Sequence, residues 1–175
     1  APSVARLKTV RGGVTDDAVR GPLDSLIRDA MRRGIAPPSK GTGPKVHRVV
    51  ASMVDGSGAQ SLAAAVQAGS ARHVAVVLLK QGFGVKDAYV VPCSSATEQK
   101  TLVARITDEI DACDVALDYA ADAIGLALSD GQEQGLAPVP GLVDVAYVCG
   151  LSEIRPLPAT VSAILARADP EDRIG

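Results

Sequence analysis

Thr101-Leu-Val-Ala-Arg-Ile-Thr-Asp-Glu-Ile110-Asp-Ala-Cys-Asp-Val-Ala-Leu-Asp-Tyr-Ala120-Ala-Asp-Ala-Ile-Gly-Leu-Ala-Leu128 is the stretch on which the fold turns. Leu102, Ile106, Ile110, Cys113, Leu117, Ala121, Ile124 and Leu128 recur at steps of three and four. At about 100° per residue all of them fall within an arc of roughly 100°. The spacing predicts one long amphipathic helix over 101–128, with Cys113 on its apolar face. Asp111, Asp114, Asp118 and Asp122 form an acidic stripe beside it. A helix with one apolar face must bury it on another layer.

That layer is expected upstream. Val46 to Val54 is rich in Val and ends at Asp55-Gly56-Ser57-Gly58, a turn signal. Gln60 to Gln67 reads as a second strand in preference to a short helix, closed by Ala68-Gly69-Ser70. His73 to Leu79, HVAVVLL, is the clearest strand. Lys80-Gln-Gly-Phe-Gly84 turns it into a fourth, Val85 to Val91, which Pro92 stops. Ser95 with Glu98 has the S-x-x-E spacing of a capping box and opens the long helix.

Downstream, Ser129-Asp130-Gly131 ends the long helix. Leu142 to Val148 reads as a short helix in preference to a strand. Pro158 to Ala168 reads as a last helix. At the other end, residues 1–14 look irregular. Thr15 is the expected cap of a first helix, and Gly21-Pro22 interrupts it. Leu23 to Arg33 then forms a second, with Gly34 at C′. Ala36-Pro-Pro-Ser-Lys-Gly-Thr-Gly-Pro44 is a linker. The expected architecture is α+β: an antiparallel β-meander of three to four strands packed against one long amphipathic helix, with short flanking helices. Residues 1–44 form a basic helical N-terminal arm and linker, and 45–175 the α+β domain.

With 175 residues and 47% apolar content, a globular chain with a real core is expected. No apolar run nears the roughly 18–20 residues of a membrane span, and Ala1-Pro-Ser-Val-Ala-Arg6 lacks a secretory core. A cytoplasmic location is expected. The missing initiator Met suggests a trimmed chain or a piece of a longer one. The lack of Asn and the excess of Arg over Lys suggest a GC-rich bacterial genome. Cys93, Cys113 and Cys149 have neither the count nor the spacing of a disulfide framework or zinc site.

Net charge is −2 but unevenly spread. Residues 1–48 carry ten Lys/Arg against four Asp/Glu, net +6; the remainder is net −8. A basic arm on an acidic body could bind nucleic acid or an acidic protein surface, or fold onto its own acidic helix. The candidate binding residues are Arg28, Arg32, Arg33, Lys40 and Lys45 on the arm and linker, with Lys80 and Lys86 around the Gly-Phe-Gly loop. That loop has the composition to cradle an anion, but it carries no G-K-[S/T] and no helix follows it. Cys93, at the entrance of the long helix, would have its thiolate favoured by the helix dipole.

One further constellation has a chemical reading. Val54-Asp55-Gly56-Ser57 places a carboxylate at a strand end, followed by a meander, a helix opening with Glu98, and Asp144 on a later element. This order resembles the ribonuclease H-like nucleases. The resemblance implies that Asp55, Glu98 and Asp144 hold two divalent ions, Mg²⁺ or Mn²⁺, across a phosphodiester. The plain reading of Asp55-Gly56 is a hairpin turn. Two functions therefore stand. The preferred one is a non-catalytic interaction domain of a larger bacterial protein or assembly. It needs no cofactor, and its arm or hairpin loops meet a protein partner, the rest of a longer chain, or nucleic acid. The alternative is the metal-dependent nuclease.

Overall fold

The computed structural model describes residues 4–14, 16–35, 43–151 and 154–157. Its centre is a five-stranded antiparallel sheet in the order β4-β3-β2-β1-β5. The strands are β1 (Lys45–Ser52), β2 (Ala59–Ala68), β3 (Ala71–Lys80), β4 (Gly84–Cys93) and β5 (Ala112–Asp114). The first four are the expected meander, and β2 is a strand, paired with β3 over its whole length from Ala59↔Lys80 to Ala68↔Ala71. Alternation along each strand separates two faces. Val50, Ala63, Ala65 and Val74 point to one face, and Val49, Ala51, Leu62, Ala64, Val66, Ala75 and Val77 to the other.

The stretch 101–128 is two helices, not one. α3 (Ala96–Glu109) and α4 (Leu117–Glu133) are separated by β5, which pairs antiparallel with β1 through Val50↔Asp114 and Ser52↔Ala112. The chain reverses at Asp111, whose φ of 47° is left-handed, a region Asp tolerates better than most residues. Two forces favour the break. Asp108, Glu109 and Asp111 crowd the negative end of α3, whose last turn holds no basic residue and where Arg105, one turn back, pairs with Glu109. The open edge of β1 offers unpaired backbone groups that β5 satisfies. Cys113 consequently lies on β5 and is exposed, against the expectation that it is core.

The two new helices go to opposite sides. α3 sets Val103, only 2% exposed, on the Val50/Ala63/Val74 face. Its buried Gln99 amide donates to the Val66 and His73 carbonyls at 2.9 and 2.7 Å. α4 and α5 (Gly141–Cys149) cover the other face with Ile124, Leu128, Leu142 and Val145. Leu142–Val148 is thus helical, as its spacing indicates. Gly141 is obligatory: a Cβ there would lie 1.7 Å from the Ala88 carbonyl oxygen.

The arm also differs from expectation. Residues 4–13 are helical, forming α1 (Val4–Gly13), and Val4 is buried. α2 (Asp17–Arg32) is continuous, with Pro22 inside it. Its cap is Asp16, whose carboxylate accepts the Ala18 N–H at 2.8 Å; Thr15 lies outside the described residues. Gly34 is at C′ with φ 76°. α2 rests on α1, and α1 rests on α5, where Arg6 pairs with Asp144 at 2.7 Å and stacks over Tyr147. The expected last helix, 158–168, lies outside the described residues. Among them, no helix is long and apolar enough to cross a membrane.

Candidate functional site

The three carboxylates of the nuclease resemblance are each engaged locally. Asp55 organises the β1–β2 turn: it accepts the Ser57 hydroxyl at 2.7 Å, the Ser57 N–H at 2.8 Å and the Ala59 N–H at 2.9 Å. The Ser57 hydroxyl first, then these amides, hold its carboxyl below the usual carboxylate range. Glu98 sits in the first turn of α3. Ser95 Oγ accepts its N–H at 3.1 Å, while its carboxylate takes the Ser94 hydroxyl and the Ser94 N–H, the latter at 2.6 Å. Its carboxyl is lowered by the Ser94 hydroxyl above all. Asp144 faces Arg6 from α5, on the opposite side of the sheet from α3. The structure therefore does not bring Glu98 and Asp144 together. Among the described residues no group of three His, Cys, Asp or Glu is placed to hold a metal ion.

The acidic stripe is dispersed by the break at Asp111. Asp114 on β5 takes Arg48 in a two-pronged pair at 2.6 and 3.4 Å, so part of the basic segment does fold onto it. The Gly-Phe-Gly loop is the β3–β4 turn. Its Gly82 N–H donates to Asp130 Oδ2 of α4 at 2.7 Å, so the anion it cradles belongs to the chain itself. Lys80 donates to the Ser57 carbonyl. Lys86 stacks 4.4 Å above the Phe83 ring. The Cys93 thiol is pushed up, not down, by burial first and by Glu98 next, against the dipole expectation. Burial pushes the Cys149 thiol up to about 12.

The arm retains two features. Arg28, Arg32 and Arg33 are exposed on the C-terminal half of α2, where Arg28 reaches Ser25 Oγ at 2.9 Å and Arg32 reaches Asp29 at 3.5 Å. Beside them Val19, Leu26, Met31 and Ile35 are 47, 55, 50 and 43% exposed, while α2 buries Ile27 alone. Lys45 is exposed at the start of β1, and Lys40 lies outside the described residues. The second feature is a cavity of about 590 Å³ lined by Lys8 and Arg11 of α1, Arg20 of α2 and Arg155. Among the described residues Asp24 is the one carboxylate there, and Arg11 grips it at 2.9 and 3.3 Å. That grip, then Arg28 and Arg20 nearby, keeps the Asp24 carboxyl low.

None of these four cations is among the sequence candidates. Arg155 reaches the arm because residues 154–157 lie along α4. There Leu157 donates its N–H to the Gly125 carbonyl at 2.9 Å, and Ser129 Oγ donates to the Leu157 carbonyl at 2.6 Å. A Cβ at Gly125 would meet Leu157 at 2.8 Å and the Arg155 carbonyl at 2.9 Å. A glycine inside an otherwise apolar helical stripe is the signal the sequence offered.

Residues 41–158 match the family described as Domain of unknown function (DUF7401). The "Uncharacterized protein y4lR" of Sinorhizobium fredii (strain NBRC 101917 / NGR234) is 33% identical over 170 residues, covering 96% of this chain and 33% of that protein. The chain thus spans about a third of the length of this curated relative. No solved structure matches.

Proposed function

The chain belongs to the family described as Domain of unknown function (DUF7401), and we propose that it is a non-catalytic interaction domain that docks a protein partner on the outer face of α2. One observation carries this reading: Val19, Leu26 and Met31 stand 47–55% exposed on a helix that also bears Arg28 and Arg32, and Ile35, 43% exposed, follows just past its C-cap Arg33. Val19, Leu23, Leu26 and Ala30 lie within about 60° of arc, beside the Ile27 side that faces the protein. A second apolar stripe on a helix already packed is a surface in need of a cover. Exposed Met and Arg together fit a protein surface that is apolar and carries carboxylates, the composition of interface centres. Nucleic acid phosphates would use the arginines and leave the apolar side chains wet. Support for a non-catalytic role comes from Asp55, Glu98 and Asp144, each of which holds a turn, a cap or an ion pair. The length of the relative from Sinorhizobium fredii supports a setting within a larger protein.

The test begins with a photo-crosslinker at Leu26 in the producing cells, with Lys100 on α3 as control. The Leu26 position alone is expected to capture a protein. Binding of that protein, purified, is then expected to weaken tenfold or more, about 1.4 kcal/mol, in Leu26→Asp and in Arg32→Glu. Equal capture at Lys100, or binding untouched by both substitutions, overturns the reading. So does tight binding of a DNA duplex that depends on Arg32 and not on Leu26.

A further inference from the structure

We propose that the cavity between α1, α2 and residues 154–157 binds a small phosphorylated ligand through a diphosphate or triphosphate group. The proposal does not rest on the docking face of α2, because none of its four cations is named there.

The charge count points to an anion. Among the described residues Lys8, Arg11, Arg20 and Arg155 contribute four positive charges and Asp24 one negative, so their sum is net +3. Asp24 is committed to Arg11 through both oxygens. Arg20 has Asp17 at 3.7 Å, and Asp17 is almost fully exposed. Among the described residues no ion pair forms from Lys8 or Arg155. Like charges facing one cavity repel, and an anion between them turns each repulsion into attraction. A diphosphate or triphosphate carries enough charge to offset this lining; a carboxylate or a single sulfate does not.

Shape and chemistry narrow the class. A volume of about 590 Å³ lies within the roughly 300–1,000 Å³ of small-ligand pockets. Three of the four cations are arginines, whose planar forks take phosphate oxygens two at a time. Asp24 acts as a positioning residue: it fixes one edge of the Arg11 guanidinium and leaves the other donors for the ligand. Ile27 and Gly12 supply a small apolar patch for the organic part. No aromatic side chain lines the cavity, so a base would find nothing to stack on, and recognition falls on the phosphates. Because Arg155 comes from a segment pinned to α4, a bound anion would also tie the arm to the body of the domain.

Calorimetry on the full chain at low salt tests this with pyrophosphate, tripolyphosphate and orthophosphate. Pyrophosphate and tripolyphosphate are expected to bind and to raise Tm, at least tenfold more tightly than orthophosphate. Lys8→Ala and Arg155→Ala should each weaken pyrophosphate tenfold or more, Lys8→Arg should restore it, and Lys100→Ala should leave it unchanged. Failure of pyrophosphate to bind, or equal loss in Lys100→Ala, overturns the proposal while leaving the α2 docking test untouched. A DNA duplex that binds more tightly than pyrophosphate, and is lost in the same variants, overturns it in favour of a nucleic-acid backbone.

Discussion

Asp55 shows how a residue type that suggests chemistry can be consumed by structure. Its carboxylate receives three donors from the next four residues, all inside the β1–β2 turn. Asp24, Glu98 and Asp114 are likewise lowered, by Arg11, Ser94 and Arg48 respectively. Each of these carboxyls titrates lower in the folded chain than in the unfolded one, where the value is about 4. Their contribution is therefore complete above pH 4 and fades as pH falls through the folded values. Urea midpoints measured from pH 7 down to pH 2.5 are expected to fall steeply below about pH 4. Asp55→Asn should lower the midpoint at pH 7 and flatten that acid limb. A variant curve that stays parallel to the parent at every pH would show that Asp55 makes no charge-dependent contribution to the turn.

At the scale of elements, the break at Asp111 separates two accounts of residues 101–128 by the sign of a substitution. In a continuous helix Asp111→Gly would cost up to about 1 kcal/mol and Asp111→Val little. At φ 47° the order reverses: Asp111→Gly is expected to be neutral or stabilising, and Asp111→Val to cost about 1–3 kcal/mol. Denaturant unfolding of the two variants decides it; a Gly variant weaker than the Val variant would restore the single helix. Why the break was not legible follows from the same residues. Cys113 and Leu117 keep the 3.6-residue period through it, because period measures only local pattern. The force that pulls Ala112–Asp114 out is the open edge of β1, some sixty residues away in sequence (Val50↔Asp114). The meander was legible because β-branched runs such as His73–Leu79 are bracketed by glycine turns, each of which is a local signal. α1 was not, because its packing depends on α5, whose Asp144 and Tyr147 hold Arg6.

For the whole molecule, charge segregation was readable and its geometry was not. The excess of +6 in residues 1–48 pointed to the arm, but the cavity takes Lys8 and Arg11 from a helix that sequence pattern left irregular, and Arg155 from the other end of the chain. The nuclease resemblance fails in the complementary way. It placed acids in the right order along the chain, whereas a two-ion centre needs them gathered around two ions about 4 Å apart. Here the sheet itself stands between α3, which carries Glu98, and α5, which carries Asp144. A thermal-shift titration with Mn²⁺ and Mg²⁺ converts that topology into an outcome. A site filled at a hundred times its Kd adds about 2.7 kcal/mol, worth several degrees in Tm for a domain of this size. Neither metal is expected to shift Tm, and Asp55→Ala should lower Tm by the same amount with metal and without, because what it loses is a turn. A metal-dependent rise that Asp55→Ala abolishes would mean that the turn opens to deliver Asp55 to an ion, and would return the chain to the nuclease reading.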